Sequence, residues 1–206
     1  AATSSAAVST GQTFTLTTSA DNITGTGGDD TILADNSGGG ATVTLSVADT
    51  ISGGAGTDEI RMFGTGSTLP STLTGVESVY LNNPGALFAV NLSSYTDVTA
   101  VEIDGVEVTA ASGGPTETIT LAQGQALTLD SVVDNTGGGH ALDVAGEMTS
   151  LSLTLDGAGA GANDLEINFD AADDLATLNV VASGAASDVA ITDADNAITT
   201  INVSGS

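Results

Sequence analysis

The sequence predicts an all-β protein built as a right-handed parallel β-solenoid, and three observations support that fold class. Short strands with apolar residues at every second position recur along the chain, which is the period of a β-strand. They recur at fairly regular intervals, as expected of proteins whose turns stack on one another. Glycine-rich turn signals separate the strands. We find no segment with a convincing helical period.

The first recurring strand has the pattern apolar-x-small-apolar-x-apolar. A weaker copy, which begins at Gly124, fills the gap between two clearer copies. Successive starts are separated by similar lengths of chain, each long enough for two or three short strands. The copies begin at Val76, Val98, Gly124, Met148, Leu175 and Ile198.

A second, alternating strand precedes most copies of the first. Its apolar positions are expected to point inward and form aliphatic ladders between stacked turns, with Thr, Ser, Asn and Asp pointing outward. An antiparallel sandwich also alternates, but the joint recurrence of spacing and motif favours the solenoid. The predicted inward residues are Phe88, Val90, Leu92, Ile119, Leu121, Leu142, Val144, Leu165, Ile167, Phe169, Val189 and Ile191.

Composition limits the partners that the protein can have. The 206-residue chain carries 26 acidic residues and one basic residue, Arg61, which gives a net charge of −25. Nucleic acid and anionic membrane surfaces are bound through Lys and Arg, so both partners are excluded. There is no cysteine for a disulfide or a thiolate metal site. No apolar run approaches the roughly 20 residues that span a membrane. The opening segment, AATSSAAVST, lacks the features of a signal peptide.

Two stretches in the first third of the chain are copies of one motif. Residues 20–32 and 48–60 share Ala-Asp-x-Ile-Ser/Thr-Gly-x-x-Gly-x-Asp-x-Ile. Residues 53–61 match the nonapeptide G-G-x-G-x-D-x-U-x at every specified position. Residues 25–33 match it with one departure, because Thr26 replaces the second glycine.

The chemistry of this motif predicts calcium binding. Glycines allow positive φ, so a turn can direct several carbonyl oxygens at one point, and the aspartate adds a charged oxygen. Ca²⁺ accepts about six to eight such oxygens in flexible geometry. Asp21 and Asp49 are interpreted as remnants of two further nonapeptides; the alternative is a glycine-rich turn with solvated aspartates. The predicted metal-site residues are Gly25, Gly27, Asp30, Gly53, Gly54, Gly56 and Asp58, together with Asp21 and Asp49.

Four carboxylates in the last third of the chain predict a second metal ladder, with a solvated acidic face as the alternative. They precede the strands that begin near Leu175 and Ile198, and this alignment places the first of them over the third. The four residues are Asp170, Asp173, Asp193 and Asp195.

Three further residues have simple expected roles. His140 is interpreted as a turn residue rather than as a ligand or a base. Arg61 is expected to pair with Glu59. Asp134 lies outside either motif and is expected to tolerate replacement by alanine.

The order of these features resembles a known family. The glycine–aspartate repeats resemble those of RTX (repeat-in-toxin) proteins exported by type I secretion. Residues 11–81, through GQTFTLTTSADNITGTGGDDTILA, LSVADTISGGAGTDEI and LTGVESVYL, resemble the opening of the assembly domain of alphaproteobacterial, Caulobacter-type surface-layer proteins. The resemblance implies a Ca²⁺-stabilised β-solenoid that polymerises outside the cell. The family has longer arrays and a C-terminal secretion segment, so this chain is interpreted as part of, or the ordered unit within, a longer protein.

The expected organisation has three segments. Residues 1–12 form an N-terminal linker or processed end, residues 13–62 an RTX-like calcium-binding β-roll, and residues 63–206 a parallel β-solenoid of about six rungs.

The expected function is that of a calcium-dependent, self-assembling structural protein at the cell surface, as a surface layer or a filament. Its expected partners are copies of itself, with cell-surface polysaccharide as a further candidate. The alternative is a calcium-stiffened stalk or spacer of a large secreted adhesin. An enzyme is disfavoured and no catalytic residue is predicted, because β-helix lyases use basic residues and sugar-stacking aromatics, and only 3% of this chain is aromatic.

Overall fold

The protein is a parallel β-solenoid, which confirms the predicted fold class. The computed structural model describes residues 10–66, 68–85, 88–108, 117–134, 141–169 and 174–205. Besides strands, these residues include one short 3-10 helix, Gly40–Thr42, and no helix among them could cross a bilayer. The strands are β1 (Thr13–Thr15), β2 (Asn22–Thr24), β3 (Thr31–Asp35), β4 (Thr50–Ser52), β5 (Glu59–Phe63), β6 (Thr72–Thr74), β7 (Ser78–Asn82), β8 (Ala89–Asn91), β9 (Ala100–Asp104), β10 (Glu117–Thr120), β11 (Ala126–Asp130), β12 (Ala141–Ala145), β13 (Ser150–Asp156), β14 (Leu165–Asn168), β15 (Thr177–Ala182), β16 (Val189–Thr192) and β17 (Thr200–Gly205).

Successive turns of the chain contribute strands alternately to two walls. The odd-numbered strands form one nine-stranded sheet, in the order β1-β3-β5-β7-β9-β11-β13-β15-β17. The even-numbered strands form the other wall as two sheets, β2-β4-β6 and β8-β10-β12-β14-β16. Neighbouring strands within the described ranges pair in parallel, each with a strand one turn away, so the antiparallel sandwich considered from the sequence is wrong.

An aliphatic ladder runs through the nine-stranded sheet and fills the core. In β9, Val101 and Ile103 are buried while Glu102 and Asp104 are partly exposed, which is the burial alternation expected for a sheet with one inward face. In-register pairing then stacks the apolar residues of one turn on the apolar residues of the next. The buried side chains of both walls join one core cluster. The ladder through Val101 consists of Phe14, Ile32, Ile60, Val79, Val101, Leu127, Leu153, Val180 and Val203.

The register agrees with the predicted alignment of the repeats at all but one step. The alignment of the two motif copies is confirmed, since Thr31 lies opposite Glu59. The predicted alignment of the copies that begin at Gly124 and Met148 is wrong. It would place Leu127 opposite Leu151, whereas Leu127 pairs with Leu153.

A side-chain hydrogen bond accounts for the different register at that step. The main-chain N–H of Thr149 donates to Oε1 of Gln123 at 2.7 Å, which ties the two turns together at this offset. A shift of two residues leaves the same side chains facing inward, so the core pattern survives the error.

We predict that truncating one rung of the ladder is far more costly than truncating its outward neighbour. Leu153 is fully buried and Ser152 is exposed. Leu153→Ala should lower the free energy of unfolding by about 2–5 kcal/mol. Ser152→Ala should change it by less than about 0.5 kcal/mol. Urea unfolding at fixed calcium measures both, and equal losses would contradict the inward assignment of Leu153.

Candidate functional site

The fold stacks the two motif copies directly on each other. Asp30 and Asp58 immediately precede β3 and β5, which pair in parallel with Thr31 opposite Glu59. The main-chain N–H of Asp30 donates to Oδ1 of Asp58 at 2.6 Å. The two aspartates that the sequence singles out are therefore brought together.

The same contact recurs in the turns on either side. The N–H of Gln12 donates to Oδ1 of Asp30 at 2.6 Å, and the N–H of Asp58 donates to Oε2 of Glu77 at 2.8 Å. We call Asp30, Asp58 and Glu77 the carboxylate ladder. Each member accepts the N–H of the preceding turn, and hydrogen bonds to charged groups contribute roughly 1.5–3 kcal/mol each. The ladder therefore helps to hold adjacent turns in register.

The first motif loop satisfies its own carboxylate. Asp30 is 1% exposed. Besides the Gln12 N–H, its Oδ1 accepts the Thr26 hydroxyl at 2.9 Å, and its Oδ2 accepts the Thr26 N–H at 2.5 Å. Thr26, the residue that departs from the nonapeptide, is thus the group that closes this loop around Asp30.

The second motif loop leaves its carboxylate incomplete. Asp58 is as buried as Asp30, at 1% exposure. Its Oδ1 accepts the Asp30 N–H, but its Oδ2 is buried without a hydrogen-bond partner. The residue equivalent to Thr26 here is Gly54, which has no hydroxyl to offer. Burying a carboxylate oxygen without a hydrogen-bond partner is energetically costly. The second loop therefore carries a cost that the first loop avoids through Thr26.

Two of the predicted glycines are required by close approach between stacked turns. A Cβ on Gly25 would lie 1.7 Å from the carbonyl oxygen of Gly53 and 2.5 Å from Oδ2 of Asp30. A Cβ on Gly53 would lie 1.9 Å from the carbonyl oxygen of Gly75 and 2.5 Å from Oδ2 of Asp58. Each of these glycines thus lies against both the aspartate of its own loop and a carbonyl oxygen of the next turn.

The other predicted glycines shape the loops in a different way. Gly54 and Gly56 have φ of +108° and +134°, which other residues rarely adopt. A Cβ on Gly56 would also lie 2.7 Å from the carbonyl carbon of Gly28. Gly27 is exposed in the first loop.

Asp21 and Asp49 also stack in register, and the chain satisfies both. Asp49 is fully buried; its Oδ1 accepts the Asp21 N–H at 2.9 Å and its Oδ2 accepts the Ser46 N–H at 2.7 Å. Thr17 donates its N–H to Oδ2 of Asp21 at 2.7 Å and its hydroxyl to Oδ1 at 3.1 Å. In this structure the two side chains cap turns.

The two motif aspartates have opposite pKa shifts. Burial raises the pKa of Asp58, the Asp30 N–H opposes that effect, and the carboxylates of Asp30, Glu77 and Asp29 add to it, so the net shift is upward. Burial also raises the pKa of Asp30, but the hydrogen bonds from Thr26 and Gln12 outweigh it and leave the pKa below its ordinary value. One carboxylate is stabilised as an anion and the other is not.

The Asp58 loop fits a hard divalent cation. It combines a buried, unpartnered carboxylate oxygen with glycines that admit carbonyl oxygens of the stacked turn, and Ca²⁺ favours both ligand types. No group of three or more His, Cys, Asp or Glu side chains in the described ranges is arranged to hold a metal. Calcium here would therefore be held by Asp58 together with main-chain carbonyls such as that of Gly75, which lies beside the same glycine, Gly53, as Oδ2 of Asp58.

The second predicted ladder is only half described. Asp193 and Asp195 lie together in the loop between β16 and β17, and Oδ1 of Asp193 is buried without a hydrogen-bond partner. A hydrogen bond from the Asp195 carboxyl lowers the pKa of Asp193 despite its burial, and the N–H groups that follow add to this. Asp170, Asp173 and also His140 lie outside the described residues.

Arg61 has the predicted ion pair and an additional contact that was not predicted. Its Nη1 lies 3.2 Å from Oε2 of Glu59, which confirms the predicted pair. The guanidinium carbon also lies 4.2 Å from the ring centroid of Tyr80, whose hydroxyl donates to Asp104. Cation–π stacking is strongest for a desolvated cation.

Sequence reasoning missed Glu77 and the part played by Thr26. Glu77 directly precedes β7, as Asp58 precedes β5, so aligning the motif with the first repeat would have placed it on the ladder. Nothing in the sequence indicates that Thr26 turns toward Asp30.

The burial of Asp134 argues against its expected tolerance of alanine. This residue is fully buried, and its carbonyl accepts the N–H of Asn163 at 3.1 Å. A buried carboxylate in a covered turn is a poor position for a neutral control.

Comparison with protein-family models and with curated proteins found no match to this chain.

We predict that Asp58 makes the calcium-free protein more stable as the pH falls. Because its folded pKa is raised, its charge opposes folding at neutral pH, and that penalty disappears as the pH approaches the unfolded value of 3.8. Asp30 has a lowered pKa, so the stability that it contributes is lost only below pH 3.8, the unfolded pKa. It therefore does not change the stability between neutral pH and that value.

Thermal melts in calcium-free buffer at about pH 7.5 and about pH 5 provide the measurement. Asp58→Asn should show a smaller rise in Tm on acidification than Asp188→Asn, a matched control that removes one exposed charge. Equal rises in the two variants would contradict the raised pKa of Asp58.

We also predict that Gly56 cannot be replaced without strain in the second loop. Gly56→Ala combines positive φ with a Cβ 2.7 Å from the carbonyl carbon of Gly28. Gly124 has φ of +94° and open space around its Cβ position, so Gly124→Ala incurs only the φ cost, about 1–2 kcal/mol. In denaturant unfolding Gly56→Ala should lose more stability than Gly124→Ala. The reverse order would mean that the two loops are not stacked so closely.

Proposed function

We propose that this chain is a calcium-dependent structural module of an extracellular assembly, either a surface layer or a surface filament. The observation that carries the proposal is the buried carboxylate of Asp58, whose Oδ2 has no hydrogen-bond partner beside a glycine-rich loop. When bound, Ca²⁺ supplies positive charge and joins that carboxylate to nearby carbonyl oxygens. The chain's own residues hold the loop in register and keep the carboxylate away from water.

The overall charge supports the same proposal. The net charge is −25, and the one basic side chain, Arg61, is already paired with Glu59. Two carboxylates about 4 Å apart repel by roughly 4 kcal/mol at an effective dielectric near 20. A cation present at 100 times its Kd adds roughly 2.7 kcal/mol of stability per independent site. That gain is a large part of a typical total of about 5–15 kcal/mol.

The self-assembling part of the proposal concerns the face of β17. Ile201 and Val203 are 51% and 74% exposed, although Val203 continues the inward ladder from Val180. A further rung laid on β17 would bury them, at roughly 1.5–3 kcal/mol for each fully buried side chain. In an assembly, a second copy of the chain supplies that rung.

A stalk or spacer of a large adhesin is the second candidate function. The observation that favours it is the uninterrupted nine-stranded sheet, since such a rod transmits force without any contact between copies. In this case the rung on β17 comes from the same polypeptide. The two functions therefore differ in what covers β17.

Location and partners follow from the resemblance to RTX proteins. It favours export by type I secretion and a place at the cell surface. Copies of the same chain are the first proposed partner, and cell-surface polysaccharide is the second. Catalysis is not part of the proposal.

We expect calcium to stabilise the protein and to trigger its assembly. Tm should rise markedly between excess EGTA and millimolar Ca²⁺, because the cation completes the Asp58 loop. Light scattering and electron microscopy across a Ca²⁺ titration at fixed ionic strength should reveal an ordered array that EGTA disperses. Monovalent salt should not substitute, because screening cannot fill an oxygen site.

Two variants separate assembly from folding. Val203→Asp should abolish assembly but keep the calcium-induced rise in Tm, because it changes only the β17 edge. Val47→Asp is the matched control, since Val47 is 61% exposed in another part of the fold. A calcium-loaded chain that stays monomeric at high concentration would instead support the stalk. Equal Tm values with and without calcium would contradict both functions.

A further inference from the structure

We propose that the two stacked motif loops have different roles. The Asp58 loop requires a divalent cation, whereas the Asp30 loop closes without one because Thr26 donates hydrogen bonds to its carboxylate. This inference rests on the proposed function, because it concerns the same calcium site. As sequences the loops share the glycines, the aspartate and the isoleucine that define the motif. As sites they differ in whether the chain itself supplies every hydrogen-bond donor.

The Asp30 loop has a full set of donors. Three groups point at this carboxylate: the Gln12 N–H at 2.6 Å, the Thr26 hydroxyl at 2.9 Å and the Thr26 N–H at 2.5 Å. Two of the three come from Thr26. A carboxylate that accepts several such bonds is stable as an anion in the interior, so it does not need a cation.

The backbone explains why Thr26 can donate where Gly54 does not. Gly54 has φ of +108°, whereas Thr26 is not among the residues with positive φ. A β-branched side chain is strongly disfavoured at positive φ, so the threonine holds the first loop in a different conformation from the second. In that conformation the Thr26 N–H reaches Oδ2 of Asp30, while Oδ2 of Asp58 has no partner.

The surroundings of Asp58 leave a cation as the group that compensates its charge. One main-chain N–H reaches its Oδ1, and the neighbouring charges of Asp30, Glu77 and Asp29 are all negative. The side chain is 1% exposed, so bulk water does not solvate it. A carboxylate that is buried, short of donors and surrounded by other anions either takes up a proton or binds a cation, and the Gly75 carbonyl oxygen beside Gly53 favours the cation.

Asp21 and Asp49 resemble Asp30, because the chain itself supplies the hydrogen-bond donors to their carboxylates. The chain donates to both carboxylate oxygens of each residue. Within the two motif copies, the demand for a cation therefore falls on one of the four predicted aspartates. We expect one calcium ion from this region, held at the Asp58 loop.

Thermal melts of the 206-residue chain test this inference, because the Asp58 and Asp30 variants should change Tm in opposite directions. In calcium-free buffer, Asp58→Asn should raise Tm, because it removes a buried charge with no compensation. It should also remove most of the calcium-induced rise. Asp30→Asn should lower Tm by a similar amount with and without calcium, because it breaks bonds that do not involve the cation. Asp188→Asn, the exposed control, should behave as the wild type.

Isothermal titration with CaCl₂ provides the second measurement. Asp58→Asn should weaken the tightest site by roughly 100-fold or more, and Asp30→Asn by less than about tenfold. Thr26→Ala removes the hydroxyl and should lower Tm in calcium-free buffer, while Thr26→Ser keeps the hydroxyl and should restore it. Neither Thr26 variant should change the calcium affinity by more than about tenfold.

Each outcome decides between the two proposals. If the wild type binds no calcium, the proposed function fails and this inference fails with it. If the wild type binds calcium but Asp30→Asn weakens binding as much as Asp58→Asn, the division of roles alone is overturned. It is also overturned if Asp58→Asn does not fold in calcium-free buffer, or if Thr26→Ala is as stable there as the wild type.

Discussion

In-register stacking of parallel turns is the constraint on which the rest of this structure depends. Each residue of the nine-stranded sheet lies about 4.8 Å from its counterpart in the next turn, so like side chains are placed on like. For apolar residues this is favourable, and the ladder through Val101 and Leu127 contributes a continuous apolar row to the core. For carboxylates it is unfavourable, because Asp30 lies over Asp58 and both are buried.

The carboxylate ladder resolves part of that conflict. Each side chain accepts the N–H of the preceding turn, so the charges are spaced by hydrogen bonds that also fix the register. A strand shifted by one residue would lose these bonds and also turn its apolar residues outward. Charge and packing thus favour the same alignment. The part left unresolved is Oδ2 of Asp58, and our functional proposal rests on that oxygen.

Most of the fold could be predicted from the sequence, because the repeat and the strand alternation both depend on side-chain pattern alone. The offset between the two motif copies in the sequence correctly predicts the register of β3 with β5. The alignment at Gly124 failed because Gln123, a polar residue with no place in the apolar pattern, fixes that step through Thr149. The site was harder, since the difference between Thr26 and Gly54 depends on backbone conformation and hydrogen bonding. Those features exist only once the turns are stacked.

We propose that Asp58 is the motif carboxylate that meets a cation. The most direct test is carbon-13 NMR of the aspartate carboxyl groups in uniformly labelled protein during a Ca²⁺ titration, with signals assigned through Asp30→Asn and Asp58→Asn. The Asp58 carboxyl signal should shift as calcium is added, while those of Asp30 and Asp49 should stay close to their calcium-free positions. A shift of the Asp30 signal as large as that of Asp58, or no shift at Asp58, would contradict this proposal.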